Sequence, residues 1–530
     1  MRRQYSLITV ILLFSAYHMM AVQGPLMDHV LRSINSQTAD GIVVIFTVAL
    51  IQLCLFAALL GVLSIISIWL MRVVAGVLMI VDVVAFYFMN AFGILLNQEM
   101  IANILNTDTG EVGGLIDWRI FAWGFGLGVV PALLMLFVPI KAHRYWTRFI
   151  LAPVAVACIA GALMAWPKTN RWIQKNELDL GSRSLPWSYI VNTVRYFDQD
   201  HARYLRDQVI LPDPISTPQA GLVILAIGES ARAQNFAWYG YDRDTNPFTR
   251  SAGFRALPPS DACATATIGG TACILSRRGR DERKGEPEEP LPSYLKRQGI
   301  ATYVYSNNTG LPRIKSDGFY VGSQLSEICE GGFCAERYED TCDGGMCSSA
   351  YPDSILTSGL PDLAKRAVTE PVFLLLHFAG SHGPNYFEKY PHRYAAFEPI
   401  CTDKMLQNCA LEDLRNVYDN TILYSDRVLA EIVKDLEGVS GLNALVLYTS
   451  DHGESLGEDG IYTHAAPIEA APEYQLKVPF LFWQSAAREA APARSDVAAQ
   501  DAMFHTVLGA FGLTEGGVYQ PDGDVFSSAD

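Results

Sequence analysis

The chain has 530 residues, half of them hydrophobic, and a formal net charge of −15 at pH 7. This acidic balance argues against a nucleic-acid partner, because binding a phosphate backbone needs a basic face. The apolar residues are unevenly spread: long uncharged stretches dominate up to about residue 166, and a charged sequence punctuated by Gly and Pro begins at Pro167. This shift predicts a domain boundary.

Five stretches approach the roughly 20 apolar residues that a helix needs to cross a bilayer. They are residues 6–22, 41–66, 69–94, 119–140 and 147–166. The first is the shortest and could instead be a cleaved signal peptide, although no clean small-x-small cleavage site follows it. We therefore predict a transmembrane domain with five spans over residues 1–166.

The basic residues that flank these stretches predict the orientation, because Lys and Arg near helix ends tend to stay in the cytoplasm. They all fall on one side of the predicted topology and are Arg2, Arg3, Arg72, Lys141, Arg144 and Arg148. The opposite side receives everything after residue 166. The large C-terminal part is therefore expected outside the cytoplasm.

The cysteines support export. Cys54 and Cys158 lie in the spans, and the other eight form close pairs in the exported part: Cys263/Cys273, Cys329/Cys334, Cys342/Cys347 and Cys401/Cys409. In an oxidising compartment this spacing favours local disulfides, although eight cysteines allow about 105 pairings. The alternative is a structural zinc cluster from Cys329 to Cys347, which is typical of reducing compartments.

Residues 167–216 are predicted to connect the domains, either as an amphipathic segment on the membrane surface or as a plain linker helix. Beyond them, short apolar runs alternate with helix-like stretches. The runs are residues 221–227, 301–305, 372–377 and 444–448. This alternation predicts an α/β domain with a largely parallel sheet over residues 217–530. The charged segment Arg277–Glu289 is predicted to be a mobile loop.

Polar clusters follow these runs directly, and ligands of parallel sheets lie beyond the carboxyl ends of strands. Five potential metal ligands occupy strand ends or the loops after them: Glu229, His382, Asp451, His452 and His464. Each alone could be a helix cap or a salt-bridged turn, but their number favours one site. Mixed nitrogen and carboxylate donors indicate zinc or manganese rather than calcium.

The segment Cys263–Cys273 contains three threonines. A divalent cation would lower the pKa of a threonine hydroxyl, and a helix that begins nearby would stabilise a phosphorylated threonine. The residues alone do not choose among Thr265, Thr267 and Thr271, for which ordinary β-branched packing is the alternative.

Taken together, the motifs carry a family resemblance. They are the segment 228–236 continued by 239–247, the Cys263–Cys273 loop, His382–Tyr386, and Ser450–Glu458 with the later His464. Over essentially its whole length the chain resembles the phosphoethanolamine transferases that modify lipid A. That family includes the mobile colistin-resistance enzymes and belongs to the alkaline phosphatase and sulfatase superfamily. The resemblance implies an alkaline phosphatase/sulfatase-like fold and a bacterial inner-membrane protein with its catalytic domain in the periplasm.

The resemblance also implies residue roles. Glu229, Thr267, Asp451 and His452 would hold the catalytic zinc, with Thr267 as nucleophile, and His382 and His464 would hold a second zinc or the phosphate. Asn103, Thr107 and Glu111 lie four residues apart, on one helical face that would contact the donor lipid. Asn308, Thr309 and Arg313 would bind substrate, with Arg313 in place of a lysine that follows paired asparagines in the family.

The implied reaction moves phosphoethanolamine from phosphatidylethanolamine to lipid A or another envelope glycolipid, by way of a phosphothreonine, in a monomeric enzyme. Gly269-Gly270-Thr271 departs from the Ser-hydrophobic-Pro run of relatives, so the sequence leaves the acceptor open. One alternative is a phosphoglycerol transferase of the same superfamily. Another is a non-catalytic membrane receptor or transporter, against which the complete ligand set and the few charges in the spans argue.

Overall fold

The computed structural model describes residues 4–106, 118–141, 148–325, 352–488, 493–497 and 499–527. The chain divides into two compact units, Met1–Gln98 with Ile116–Val194 and Glu99–Leu115 with Arg195–Asp530. The domain boundaries expected from composition stay predictions. Several residues singled out above lie outside the described part: Thr107, Glu111, Cys329, Cys334, Cys342 and Cys347.

The first unit is built from helices. With numbering in chain order, they are α1 Leu7–Val22, α2 Gly24–Ser33, α3 Ala39–Ile66, α4 Ile68–Phe92, α6 Trp118–Phe137, α7 Leu151–Ala165, α8 Pro167–Lys175, α9 Glu177–Arg183 and most of α10 Trp187–Tyr196. Side-chain caps begin the long helices: the Thr38 oxygen accepts from Gly41 N, and the Ser67 oxygen accepts from Trp69 N and Leu70 N. These caps satisfy N–H groups that the first helical turn leaves unpaired.

Three of these helices, α3, α4 and α6, are long and apolar enough to cross a membrane. Two bent pairs, α1 with α2 and α7 with α8, raise the number to five if each pair counts as one span. Only 39%, 33% and 22% of the most apolar windows of α3, α4 and α6 are buried inside the protein. Outward-facing apolar side chains on helices with internally paired backbones suit a lipid environment.

The second unit contains a seven-stranded sheet in the order β2-β9-β6-β1-β5-β3-β4. The strands are β1 Gly221–Gly228, β2 Arg255–Asp261, β3 Ala301–Ser306, β4 Gly318–Val321, β5 Pro371–His377, β6 Ala444–Ser450 and β9 Lys477–Gln484, with a small hairpin of β7 Ser455–Leu456 and β8 Tyr462–Thr463. Strand β9 is antiparallel to both neighbours, and the other pairs are parallel. The mostly parallel sheet agrees with the prediction.

Helices cover both faces of this sheet. Those of the second unit are α5 Gln98–Asn106, α11 Ala202–Leu205, α12 Pro247–Ser251, α13 Thr267–Ile274, α14 Leu291–Arg297, α15 Gly322–Leu325, α16 Leu360–Arg366, α17 Leu411–Glu437, α18 Glu473–Leu476 and α19 Ala499–Ala510. Side chains of β1 alternate between two cores: Leu222 and Ile224 pack with α17, and Val223 and Leu225 pack with α19. Burial on both faces explains why β1 is a continuous apolar run in the sequence.

Two disulfides join Cys263 to Cys273 and Cys401 to Cys409, as the spacing predicts. Cys54 and Cys158 are free. The first disulfide encloses the start of α13, so it holds the segment that carries the three candidate threonines.

Candidate metal and nucleophile site

Four neighbouring parallel strands, β6, β1, β5 and β3, end at one edge of the sheet. Glu229 directly follows β1, Asp451 and His452 follow β6, and His382 lies five residues beyond β5. The crevice at the carboxyl ends of parallel strands is where such folds bind ligands. The predicted ligands therefore come from separate strands and meet because of the strand order.

Backbone amides hold Asp451 at this edge, and side-chain donors hold Glu229. The amides of Ser230 and His452 both donate to Oδ1 of Asp451, at 3.1 and 2.7 Å. Ser230 has a φ of 55°, and its hydroxyl donates to Oε1 of Glu229 at 2.8 Å. The left-handed turn at Ser230 thus links the ends of β1 and β6. Asn308 donates from β3's end to the other oxygen of Glu229, Oε2, at 2.7 Å.

Thr267 is the first residue of α13, and its hydroxyl faces this cluster. It donates to Oε2 of Glu229 at 3.0 Å and lies 3.5 Å from Nε2 of His452. The Thr265 hydroxyl instead lies 2.6 Å from the Ala466 carbonyl, and the Thr271 hydroxyl donates to the Gly310 carbonyl at 2.8 Å. The structure therefore distinguishes Thr267 from the two threonines that the residues alone could not exclude.

Gly270 allows α13 to lie directly against the end of β6. A Cβ atom at Gly270 would stand 2.4 Å from the carbonyl oxygen of Asp451, a separation that no side chain tolerates. Gln500 ties the same elements together, because its amide donates to the Asp451 carbonyl at 2.7 Å and its oxygen accepts from Cys263 N at 2.7 Å. The disulfide loop that carries Thr267 is thus held against Asp451 both by the close approach of Gly270 and by the hydrogen bonds of Gln500.

A second group of donors adjoins the first. One potential ligand atom from each of Glu229, His382 and His464 lies within 4.8 Å of the others. Nδ1 of His464 lies 2.8 Å from Oε2 of Glu454, whose other oxygen accepts from the Tyr386 hydroxyl at 2.5 Å. Glu454 is a site residue that the sequence reasoning missed, although it stands two residues after His452. Its position within the Asp-His-Gly-Glu motif could have identified it.

The first donor set fits a divalent cation. Nε2 of His452 lies 3.4 Å from Oε1 of Glu229 and 3.3 Å from Oδ2 of Asp451, a buried atom that accepts no hydrogen bond from the described residues. Ligand bonds of about 2.0–2.2 Å in a tetrahedral zinc site place donor atoms roughly 3.3–3.6 Å apart. Nδ1 of His452 lies 2.9 Å from the Gly453 carbonyl, which can only accept. Nδ1 therefore carries the hydrogen, and Nε2 is free to bind a metal.

Burial sets the protonation of the surrounding groups. It lowers the pKa values of His382 and His464 to about 3, so both imidazoles are neutral at pH 7, the form that binds metals. It raises the pKa of Asp451 to about 6 and that of Glu454 to about 8. Each shift reflects the loss of water around the charged form. A bound cation would oppose these increases by favouring the carboxylates.

The predicted substrate residues fall into two places. Asn308 lies at the donor cluster, where it contacts Glu229. Asn103, Thr309 and Arg313 line a cavity beside α13 instead. The Arg313 guanidinium is stacked 5.2 Å from the centre of the Tyr204 ring. The paired-asparagine segment therefore extends from the candidate metal ligands to this cavity.

Two protein-family models match this chain and indicate its class. Residues 222–513, which contain the sheet and the donor cluster, match the family model described as Sulfatase. Residues 53–201 match the model described as Phosphoethanolamine transferase EptA/EptB. The chain thus combines a sulfatase-type domain with the membrane part of phosphoethanolamine transferases.

Individual relatives are similar to this chain over almost its full length. Phosphoethanolamine transferase EptA of Helicobacter pylori is 34% identical over 511 residues, which cover 94% of this chain and 92% of that protein. Phosphatidylethanolamine transferase Mcr-1 of Escherichia coli is 28% identical and covers 90% of each chain. The integral membrane lipooligosaccharide phosphoethanolamine transferase A of Neisseria meningitidis superposes with a TM-score of 0.85, 26% identity and 99% coverage of both chains. The chain belongs to the phosphoethanolamine transferase family.

Proposed function

We propose that this protein transfers phosphoethanolamine from phosphatidylethanolamine to a lipid A-type or other envelope glycolipid acceptor, with Thr267 as the covalent nucleophile. The observation that carries the proposal is the Thr267 hydroxyl, which lies at a helix start and within 3.5 Å of both Glu229 and His452. The relatives' names support the transferred group.

The donor atoms of Glu229, Asp451, His452 and Thr267 would hold a zinc ion. Zinc in this position would lower the pKa of the Thr267 hydroxyl and offset the negative charge of the phosphate. The Thr267 hydroxyl donates to Oε2 of Glu229, the oxygen that would receive its proton. His382 and His464 are proposed to hold the phosphate or a second zinc.

In the first step the bond from Oγ of Thr267 to phosphorus forms as the bond from phosphorus to the diacylglycerol oxygen breaks. Diacylglycerol leaves after taking up a proton. In the second step an acceptor hydroxyl oxygen attacks the same phosphorus and loses its proton, while the bond from phosphorus to Oγ of Thr267 breaks and Thr267 takes up a proton. Because Thr267 lies at the start of α13, backbone N–H groups of the first turn are placed to stabilise the phosphothreonine.

We further propose that the protein is a monomer of the bacterial inner membrane with its catalytic domain in the periplasm. The long apolar helices and the one-sided basic residues support this placement. In this arrangement the domains are residues 1–166 in the membrane, 167–216 as a surface connector and 217–530 as the catalytic domain. Donor and acceptor lipids would then both stay in the bilayer during transfer.

The direct test is mass spectrometry of the purified full-length protein after incubation with phosphatidylethanolamine. A peptide containing Thr267 should carry a phosphoethanolamine increment, and Thr267→Ala should carry none and lose turnover by on the order of a thousandfold or more. Thr271→Ser is the matched control and should keep the adduct. Retained turnover in Thr267→Ala would refute the nucleophile. Lipid analysis of cells with and without the gene would identify the acceptor.

A further inference from the structure

A cavity of about 650 Å³ lies in the second unit beside α13. Ala266, Ile268 and Gly269 from the start of that helix form part of its wall. The charged segment Arg277–Glu289, predicted from its composition to be a mobile loop, supplies other parts of the wall and is held by ion pairs such as Arg203 with Glu282. The predicted substrate residues Asn103, Thr309 and Arg313 also line it, but the steps proposed above give the other lining residues no role.

Glu99, at the start of α5, presents a mostly buried carboxylate to the cavity, with 19% of the side chain exposed. Its Oε2 lies 3.1 Å from the Thr265 hydroxyl, which also lies 2.6 Å from the Ala466 carbonyl. A hydroxyl carries one hydrogen and can satisfy only one of these acceptors fully. The hydroxyl is closer to the Ala466 carbonyl, so Thr265 stabilises the negative charge of Glu99 only weakly.

The cation nearest to Glu99 is also poorly engaged. Nη1 of Arg283 lies 3.7 Å from Oε1 of Glu99, beyond hydrogen-bond distance, and the Arg283 guanidinium donates no side-chain hydrogen bond within the described residues. Two other carboxylates of the wall have closer cations, because Glu282 lies 2.5 Å from Arg203 and Glu288 lies 2.7 Å from Arg277. The ion pair of Glu99 is therefore looser than those of Glu282 and Glu288.

Other features of the cavity also favour an additional cation beside Glu99. Asp200 lines the same cavity and adds negative charge. Burial raises the pKa of Glu99, and Asp200 contributes to the increase, although Arg283 and Thr265 oppose it. A partly desolvated carboxylate whose nearest cation lies beyond hydrogen-bond distance is incompletely compensated, and a small cationic group bound there would offset that cost.

Thr265 connects this carboxylate to the chemistry, because it stands two residues before Thr267. The transferred headgroup has an ammonium group one short alkyl chain from the reacting phosphorus, whereas a phosphoglycerol headgroup has no cation. We propose that Glu99 binds the ammonium group of the ethanolamine headgroup and is a specificity-determining residue for phosphoethanolamine. This inference rests on the proposed function, and it separates that function from the phosphoglycerol alternative.

The test compares two donor lipids that differ only at the terminal group. One is phosphatidylethanolamine, and the other is the phosphatidyl ester of ethylene glycol, in which a hydroxyl replaces the ammonium. The full-length protein should release diacylglycerol from the first with a kcat/KM roughly tenfold to a hundredfold higher, as expected for a charged hydrogen bond. Glu99→Gln should bring this ratio close to one, mainly by lowering kcat/KM for phosphatidylethanolamine. Glu99→Asp should keep part of the preference for phosphatidylethanolamine.

Glu286→Gln is the matched control, because Glu286 is an exposed carboxylate of the same charged segment that pairs with Arg206. It should leave the ratio unchanged. Equal losses on both lipids in Glu99→Gln, or an unaltered ratio in a folded Glu99→Gln protein, would overturn the role of Glu99. If the wild-type protein formed no Thr267 adduct with either lipid, the proposed function would fail first, and the two failures are therefore distinguishable.

Discussion

At the scale of single residues, His452 is central to the candidate metal site. Its Nε2 lies 3.3 Å from an oxygen of Asp451, 3.4 Å from one of Glu229 and 3.5 Å from that of Thr267. The hydrogen bond from its Nδ1 to the Gly453 carbonyl fixes both the tautomer and the ring. Partners of this kind orient metal ligands and increase their basicity.

This arrangement predicts a ranking of zinc affinities. Alanine at His452 should lower the zinc content of the purified protein more than alanine at His382 or His464, which we place at the outer position. Chelation should inactivate the wild-type enzyme, and zinc should restore it better than magnesium, because imidazole ligands favour zinc. Elemental analysis gives the zinc content, with thermal melting as the control for folding. Active wild-type protein without zinc would contradict the assignment.

At the scale of elements, the contact between α13 and the end of β6 positions Thr267, the proposed nucleophile. Gly270→Ala would place a methyl group against the Asp451 carbonyl and push the helix away. A displacement of about 1 Å in a reacting group can cost on the order of a hundredfold in rate. We therefore expect a large fall in turnover with a smaller loss of stability, measured by steady-state kinetics and thermal unfolding.

Gly438→Ala provides the control for Gly270→Ala. The nearest atom to a Cβ at Gly438 would be the Asp435 carbonyl oxygen at 3.6 Å, an ordinary contact. The φ of Gly438 is −68°, which alanine adopts readily. Its turnover should equal that of the wild type. If Gly270→Ala were equally active, the close approach of α13 would not be needed for the chemistry.

The Cys263–Cys273 disulfide, which encloses Thr267, should also affect turnover more than stability. In the chain-entropy model, closing an eleven-residue loop such as Cys263–Cys273 contributes roughly 3 kcal/mol to the free energy of unfolding, and measured values are often smaller. The Cys263→Ser/Cys273→Ser double variant should lose activity out of proportion to its loss of thermal stability, because the segment that carries Thr267, the proposed nucleophile, is also loosened. The assay is turnover set against the melting temperature.

The second disulfide is the matched comparison. Cys401→Ser/Cys409→Ser removes a bridge of similar length, between residues eight positions apart, and should lower stability without a comparable loss of turnover. Peptide mapping under non-reducing conditions tests the bonds directly. Free thiols at Cys263 and Cys273 in active protein would refute the first bridge and count against export.

At the scale of the whole molecule, the positive residues predict one orientation in the membrane. An alkaline phosphatase reporter joined after residue 530 should be active, because that enzyme matures only in the periplasm, and the same reporter joined after Lys141 should be inactive. A fluorescent protein that matures in the cytoplasm should give the reverse pattern. An active phosphatase fusion at Lys141 would mean that the loop containing Arg144 and Arg148 lies outside, against the positive-inside rule.

Much of the sheet could be predicted because central strands are apolar on both faces. The four runs identified in the sequence coincide with β1, β3, β5 and β6. Strands β2, β4 and β9 were not among them. Strands β2 and β4 lie at the sheet edges, and β2 contains Pro258 and Pro259. Strand β9 contains Pro479, and proline weakens the sequence signal of a strand.

The sequence by itself determined the properties that depend on neighbouring residues: the apolar stretches long enough to cross a membrane, the close cysteine pairs and the polar clusters at strand ends. The tertiary structure alone decided the contacts across long separations. Thr265 meets Glu99 from 166 positions away, and Thr267 meets His452 from 185. The physical reason is that strand order and helix orientation bring such side chains together, and neither leaves a local pattern around Glu99 or among the three threonines.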